Sequence, residues 1–86
     1  MMQGEIFPRE VTSNVPRITM TGREQLYIEQ HRGLIDYAPD VIVMRTSSGL
    51  LRVMGSGMAF SLYSEAEARV TGEISTVTFD TREGQK

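Results

Sequence analysis

Short runs of alternating apolar and polar residues, ended by glycine, proline or serine, fill the middle of this chain. Residues 17–21 (RITMT) and 58–63 (MAFSLY) are two examples. A period of two is typical of a β-strand with one buried face, so Ile18 and Met20 should share one face, as should Met58, Phe60 and Leu62. The only helix-like run, at 64–68 (SEAEA), is too short for an independently stable helix. The chain is therefore predicted to be all-β.

The strongest strand prediction falls at 41–46 (VIVMRT), which is rich in β-branched residues and almost continuously apolar. Such a run indicates a strand that is covered on both faces. The Ser-Ser-Gly at 47–49 predicts a hairpin turn into a returning strand at 50–54. Gly55 and Gly57 then predict a sharp turn or a bulge before the next strand.

Together these runs predict a small antiparallel meander or sandwich of about six to eight short strands. The alternative is a short β-solenoid, because Ile18, Ile35, Val53 and Val70 recur at nearly regular intervals. Short hairpins favour the meander. We expect one domain at 15–80, between a flexible N-terminal arm at 1–14 and a polar tail at 81–86.

Charge and composition exclude several classes of function. Nine Lys and Arg against eleven Asp and Glu give a net charge of −2, which argues against binding to nucleic acid. The absence of cysteine excludes disulfides, thiolate metal sites and a cysteine nucleophile. No apolar stretch approaches the ~18 residues of a membrane span, and the N-terminus does not resemble a secretory signal. We therefore expect a cytoplasmic protein without direct membrane insertion.

His31 is the one histidine, and Glu29 and Asp36 lie close to it in the sequence. A histidine with two carboxylates suggests a metal site or an acid–base pair, but this uneven spacing is not a zinc pattern. A histidine in a turn between strands more often bonds loop carbonyls or packs on a neighbour such as Tyr37. We expect the structural role, with no catalytic residue, metal or cofactor. The alternative is a small-ligand or metal-binding domain centred on Glu29, His31 and Asp36.

Four blocks of the sequence, in this order, resemble the YabP/YqfC family of sporulation proteins. They are 15–22 (VPRITMTG), 28–37 (IEQHRGLIDY), 46–55 (TSSGLLRVMG) and 70–79 (VTGEISTVTF). The first block is most similar to the YqfC branch, and the resemblance extends over about 11–80. Two positions depart from the family pattern. Gln30 stands where asparagine is usual, and Met58 stands where leucine is common.

The resemblance implies a non-enzymatic protein of endospore formation, made in the mother cell. Within that process we expect a small adaptor or scaffold in development of the spore envelope or coat, and the family context implies a membrane-anchored sporulation protein as partner. Its expected place is the cytoplasm, peripheral to the membrane that surrounds the forespore. Apolar, weakly charged strands add an expectation of homo-oligomers. The motif residues expected to serve interaction are Glu29, His31, Arg32, Gly33, Tyr37, Gly49, Arg52 and Gly55.

Overall fold

Six antiparallel strands make up the computed structural model, which describes residues 15–80. The strands are β1 (Arg17–Thr21), β2 (Gln25–Glu29), β3 (Leu34–Ala38), β4 (Val41–Thr46), β5 (Gly49–Tyr63) and β6 (Glu67–Asp80). The all-β prediction is confirmed. Within these residues no helix has the length and apolar character needed to cross a membrane. The predicted arm at 1–14 and tail at 81–86 lie outside the described residues.

The strands form one sheet in the order β1-β2-β6-β5-β4-β3. From β3 to β6 each strand pairs with the next one along the chain, which is the predicted meander. The β1–β2 hairpin joins this meander through β2, which pairs with β6 rather than with β3. Every neighbouring pair is antiparallel, so the chain does not adopt the parallel coils of the alternative solenoid.

The two long strands, β5 and β6, each pair with two neighbouring strands. The first part of β5, up to Met54, pairs with β4, and the first part of β6, up to Thr71, pairs with β2. Between themselves β5 and β6 pair along nearly their whole length, with three shifts of register. Each shift marks a bulge, which bends a strand without ending it. Gly55 and Gly57 therefore lie at bulges in one continuous strand.

A bulge between Phe60 and Leu62 changes which side chains face the core. Phe60 lies opposite Val70, and Leu62 lies opposite Arg69. Because directly opposite residues share a face of the sheet, Phe60 points toward the core side and Leu62 away from it. The expectation that both share one face is wrong for Leu62, because the extra residue reverses the alternation.

Two short hairpins, β1–β2 and β3–β4, contact the long strands in equivalent ways. Two carbonyl oxygens in the turn of each hairpin accept hydrogen bonds from backbone N–H groups at the bend of a long strand. The β1–β2 turn bonds β6, and the β3–β4 turn bonds β5. The bonds run from Gly72 N–H to Glu24 (3.2 Å), Ile74 N–H to Arg23 (2.8 Å), Gly55 N–H to Asp40 (3.1 Å) and Met58 N–H to Pro39 (3.0 Å). The domain therefore has an approximate two-fold symmetry that relates β1 to β3, β2 to β4, and β6 to β5.

One hydrophobic core joins both halves of this arrangement. Its buried members are Leu26, Ile28, Ile42, Met44, Leu51, Val53, Met58, Ala68, Val70 and Ile74. Three consecutive residues of β4, Ile42, Val43 and Met44, are all at most 5% exposed. The prediction that this strand is covered on both faces is therefore confirmed.

Candidate functional site

The connection between β2 and β3 carries His31, whose side chain is 4% exposed. Its Nε2 donates a hydrogen bond to the carbonyl oxygen of Ser64 at 2.8 Å. Its Nδ1 accepts a hydrogen bond from the Gly33 N–H at 3.0 Å. One ring nitrogen must donate and the other must accept, so these two bonds require the neutral Nε2–H tautomer. Both nitrogens of the histidine are thus used within the fold.

Backbone hydrogen bonds hold the same connection on two sides. The N–H groups of Gln30 and His31 donate to the Ala66 carbonyl at 2.7 and 3.2 Å, which ties the connection to the loop between β5 and β6. Gln30 has a φ of 68°, in the left-handed region. Asparagine tolerates that region better than other non-glycine residues, so glutamine is a less favourable residue at this position.

On its other side, the connection is bonded to the end of β4. The Arg32 N–H donates to the Arg45 carbonyl at 2.7 Å, and the Arg45 N–H donates to the Gly33 carbonyl at 2.8 Å. Arg32 and Gly33 are thus fixed through their backbones, whereas the Arg32 side chain is exposed. The connection between β2 and β3 is therefore hydrogen-bonded both to the loop between β5 and β6 and to the end of β4.

A row of aromatic rings runs from His31 to Tyr37. The ring centroids of His31 and Tyr63 are 5.2 Å apart, those of Tyr63 and Phe60 are 5.2 Å apart, and those of Phe60 and Tyr37 are 5.1 Å apart. Two of the predicted site residues, His31 and Tyr37, are therefore brought into one cluster, but only through Phe60 and Tyr63. Sequence analysis missed these two as site residues because the bulge that places them on one face has no clear sequence pattern.

The edge strand β3 and its surroundings expose large apolar side chains. We define the β3 patch as Leu34, Ile35, Tyr37 and Tyr63, which are 39%, 45%, 48% and 46% exposed. β3 pairs only with β4 among the described strands, so its outer backbone groups face away from the sheet. Exposed apolar side chains on an unpaired edge are typical of surfaces that bind another chain.

Glu29 and Asp36 lie apart from His31 in the sheet. Glu29 pairs across β2 and β6 with Glu67, while Asp36 is exposed in β3 opposite Val43. Across residues 15–80 no group of three or more His, Cys, Asp or Glu side chains is arranged to hold a metal ion. Glu29, His31 and Asp36 therefore do not form such a metal-binding group, and small-ligand binding at this turn stays a prediction.

The three remaining predicted residues have roles in the fold. Gly49 closes the β4–β5 hairpin, where Thr46 Oγ1 donates to the Gly49 carbonyl at 2.7 Å. Gly55 passes so close to β6 that an added Cβ would meet the Glu73 carbonyl oxygen. Arg52 Nη2 lies 3.8 Å from the Asp80 carboxylate on the exposed face, where an ion pair contributes little to stability.

Tyr27 lies on the outer face of β2 and is perturbed by its neighbours. Partial burial, a hydrogen bond to the Glu67 carboxylate and the charges of Glu67 and Glu29 raise the pKa of Tyr27, and the charge of Arg69 opposes this shift. The Arg69 guanidinium carbon lies 5.8 Å from the centre of the Tyr27 ring. Sequence analysis missed this cluster because its members come from two strands far apart in the chain.

An open cleft of about 410 Å³ lies between the β1–β2 turn and the second part of β6. Its walls include Met20, Arg23, Ile74 and Val77. The cleft falls within the usual size range of small binding pockets, and its walls are mainly apolar.

Two comparisons with known proteins bear on this arrangement. The model of the YabP family matches residues 12–86. The chain is also 31% identical over 72 residues to the uncharacterized protein YqfC of Bacillus subtilis (strain 168). That alignment covers 84% of this chain and 77% of the relative. Both matches agree with the resemblance in the four sequence blocks.

Proposed function

This chain belongs to the YabP family, and we propose on that premise that it is a non-enzymatic protein of endospore formation. It acts as a small adaptor or scaffold in development of the spore envelope or coat. Its partner is a membrane-anchored sporulation protein, and its place is the mother-cell side of the membrane around the forespore.

The observation that carries this proposal is the β3 patch. Leu34, Ile35 and Tyr37 lie on an edge strand with no further neighbour among residues 15–80. Such an edge offers backbone hydrogen bonds and apolar contacts to another chain at the same time. An adaptor needs such a surface, and a second copy of the chain is the other occupant to test for.

The environment of His31 supports a role without catalysis. A general base must have a nitrogen within reach of a substrate proton. Both nitrogens of His31 are bonded to the backbone, at Ser64 and Gly33, and the ring is buried. The most conspicuous catalytic candidate in the sequence is thereby used to join segments of the fold.

Deletion of the gene in its spore-forming host tests the cellular role. We expect fewer heat-resistant spores with normal vegetative growth. Normal spore yield, or a vegetative growth defect, contradicts the proposal.

Cell fractionation tests the membrane-anchored partner. The protein should sediment with the membranes of sporulating cells. Recovery of the protein entirely in the soluble fraction contradicts a membrane-anchored partner.

A matched pair of variants tests the β3 patch. Ile35→Lys places a charge on the patch, whereas Met54→Lys places one on the outer face of β5; the two side chains are 45% and 43% exposed. We expect Met54→Lys to restore sporulation in the deletion strain and Ile35→Lys to fail. Full restoration by both variants, at equal protein levels, excludes the β3 edge as the interaction surface.

A further inference from the structure

The approximate symmetry of the domain creates two comparable places where a short edge strand faces a long strand without pairing with it. We call each of these places a seam. Seam A lies between β3 and the second part of β5, and seam B lies between β1 and the second part of β6. Equivalent side chains line both seams on the core face. Tyr37 lies opposite Ile42 as Met20 lies opposite Leu26, and Phe60 lies opposite Val70 as Val77 lies opposite Val53.

The two seams differ in what fills them. In seam A the rings of Tyr37 and Phe60 are in contact, with centroids 5.1 Å apart. In seam B the equivalent side chains are Met20 and Val77, and both line the open cleft of about 410 Å³. Met20 is 41% exposed. The smaller side chains of seam B therefore leave open the space that two rings fill in seam A.

Seam B also presents backbone groups that no strand within residues 15–80 pairs with. β1 is the first strand of the sheet, and β6 has no partner on its β2 side beyond Thr71. Ile74 directs its N–H toward this side, where it bonds Arg23. Residues that share a face of one strand direct their N–H groups to the same side, so Val77 and Phe79 direct theirs into the seam.

Among the described residues that line the cleft of seam B, Arg23 is the only charged one. A second arginine, Arg17, lies at the other end of β1. Neither arginine has an ion-pair partner within the described part of the chain. Two copies of β1 placed edge to edge would bring these arginines close to one another, and like charges across paired strands are unfavourable. An acidic occupant of different sequence is favoured instead.

We propose that seam B binds an extended acidic segment of a partner protein, which adds a strand between β1 and the second part of β6. Alternate apolar side chains of this segment fill the space beside Met20 and Val77, and its carboxylates pair with Arg23. The proposal rests on the proposed adaptor function, because an adaptor joins two chains and therefore needs a second binding surface besides the β3 patch.

A labelled peptide measures this binding directly. The probe is a nine-residue peptide of alternating valine and glutamate, and the control peptide carries lysine in place of glutamate. Fluorescence anisotropy should show salt-sensitive binding of the glutamate peptide alone. Arg23→Glu should weaken that binding at least about tenfold. Arg45→Glu makes the same change in net charge at an exposed position of β4, which contributes no residue to seam B, and it should leave binding unchanged.

A second variant tests the space rather than the charge. Met20→Tyr combined with Val77→Phe copies the side chains of seam A into seam B. The double variant should keep a cooperative unfolding transition and lose binding of the glutamate peptide. Any of three results overturns the proposal. They are equal binding of both peptides, equal weakening by Arg23→Glu and Arg45→Glu, and unchanged binding to the folded double variant.

The same double variant separates this inference from the proposed function. If deletion of the gene lowers the yield of spores but the double variant restores it fully, seam B is not the partner site and the adaptor role stands. If the peptide binds as described but deletion leaves sporulation normal, the proposed function fails and strand addition at seam B stands.

Discussion

His31 Nε2 lies 2.8 Å from the carbonyl oxygen of Ser64, although 33 positions separate the two residues in the chain. The bond joins the β2–β3 connection to the β5–β6 connection. The buried ring also accepts the Gly33 N–H and contacts the ring of Tyr63. This one side chain therefore holds together loops that the sheet ladders do not join directly.

Replacement of His31 by alanine should lower the free energy of unfolding by about 2–4 kcal/mol, because two hydrogen bonds and a buried ring are lost. Urea unfolding at neutral pH measures the change. Asp36→Ala, at an exposed position on the next strand, should cost no more than about 0.5 kcal/mol. Equal costs for the two variants would mean that the histidine contacts carry no special stability.

Gly33→Ala should lower stability by about 1–3 kcal/mol, because Gly33 has a φ of 132° and a side chain there is strained. No atom lies within 4 Å of an added Cβ, so the cost is conformational rather than steric. Chemical synthesis with D-alanine at position 33 provides the control, since a D residue prefers positive φ. Thermal melting should show the loss for L-alanine and not for D-alanine; equal melting temperatures would contradict this account of the turn.

Gly55→Ala should be more damaging, with a loss of about 3 kcal/mol or more. The added Cβ would meet the Glu73 carbonyl oxygen, which belongs to the backbone of the neighbouring strand and has little freedom to move. The neighbouring Ser56→Ala removes only an exposed hydrogen bond of 3.2 Å to the Glu73 carboxylate and should change stability by less than about 0.5 kcal/mol. Chemical denaturation compares the two variants. Similar denaturation midpoints for Gly55→Ala and Ser56→Ala would show that β5 and β6 move apart at this point with little cost.

Tyr27 should make stability fall at alkaline pH. Its pKa is raised above the usual 10.0, so the folded protein holds the phenol proton more tightly than the unfolded chain does. The free energy of unfolding therefore decreases as pH rises through 10 toward the raised pKa. Tyr27→Phe should make this decrease shallower. Absorbance titration of phenolate, as the difference between wild type and Tyr27→Phe, checks the shift; a midpoint at or below 10 would contradict it.

Local sequence patterns predicted the strands well. The β-branched run at 41–46 became β4, with Ile42, Val43 and Met44 buried on both faces. The Ser-Ser-Gly turn also formed, where Thr46 Oγ1 accepts the Ser48 N–H at 3.0 Å. These features depend on side chains that are close in sequence, which is why the sequence alone identified them.

Longer-range features could not be predicted in this way. The helix-like run at 64–68 became a loop and the start of β6, because pairing of Ala68 with Ile28 and Tyr63 outweighed local preference. Leu62 faces away from Phe60 because of a bulge whose position depends on the partner strand. The aromatic row and the cleft follow from these tertiary features, so only His31 and Tyr37 of the row were identified beforehand.

The pairing of β2 with β6 has a kinetic consequence. The ladders from β3 to β6 join consecutive segments and close short loops, whereas the β2–β6 ladder must bring Leu26 to Val70 across most of the domain. Closing the longer loop costs more chain entropy before any contact repays it. The β3–β6 meander is therefore expected to form first. The β1–β2 hairpin is expected to dock last, so during synthesis it cannot dock until β6, the last of the six described strands, has left the ribosome.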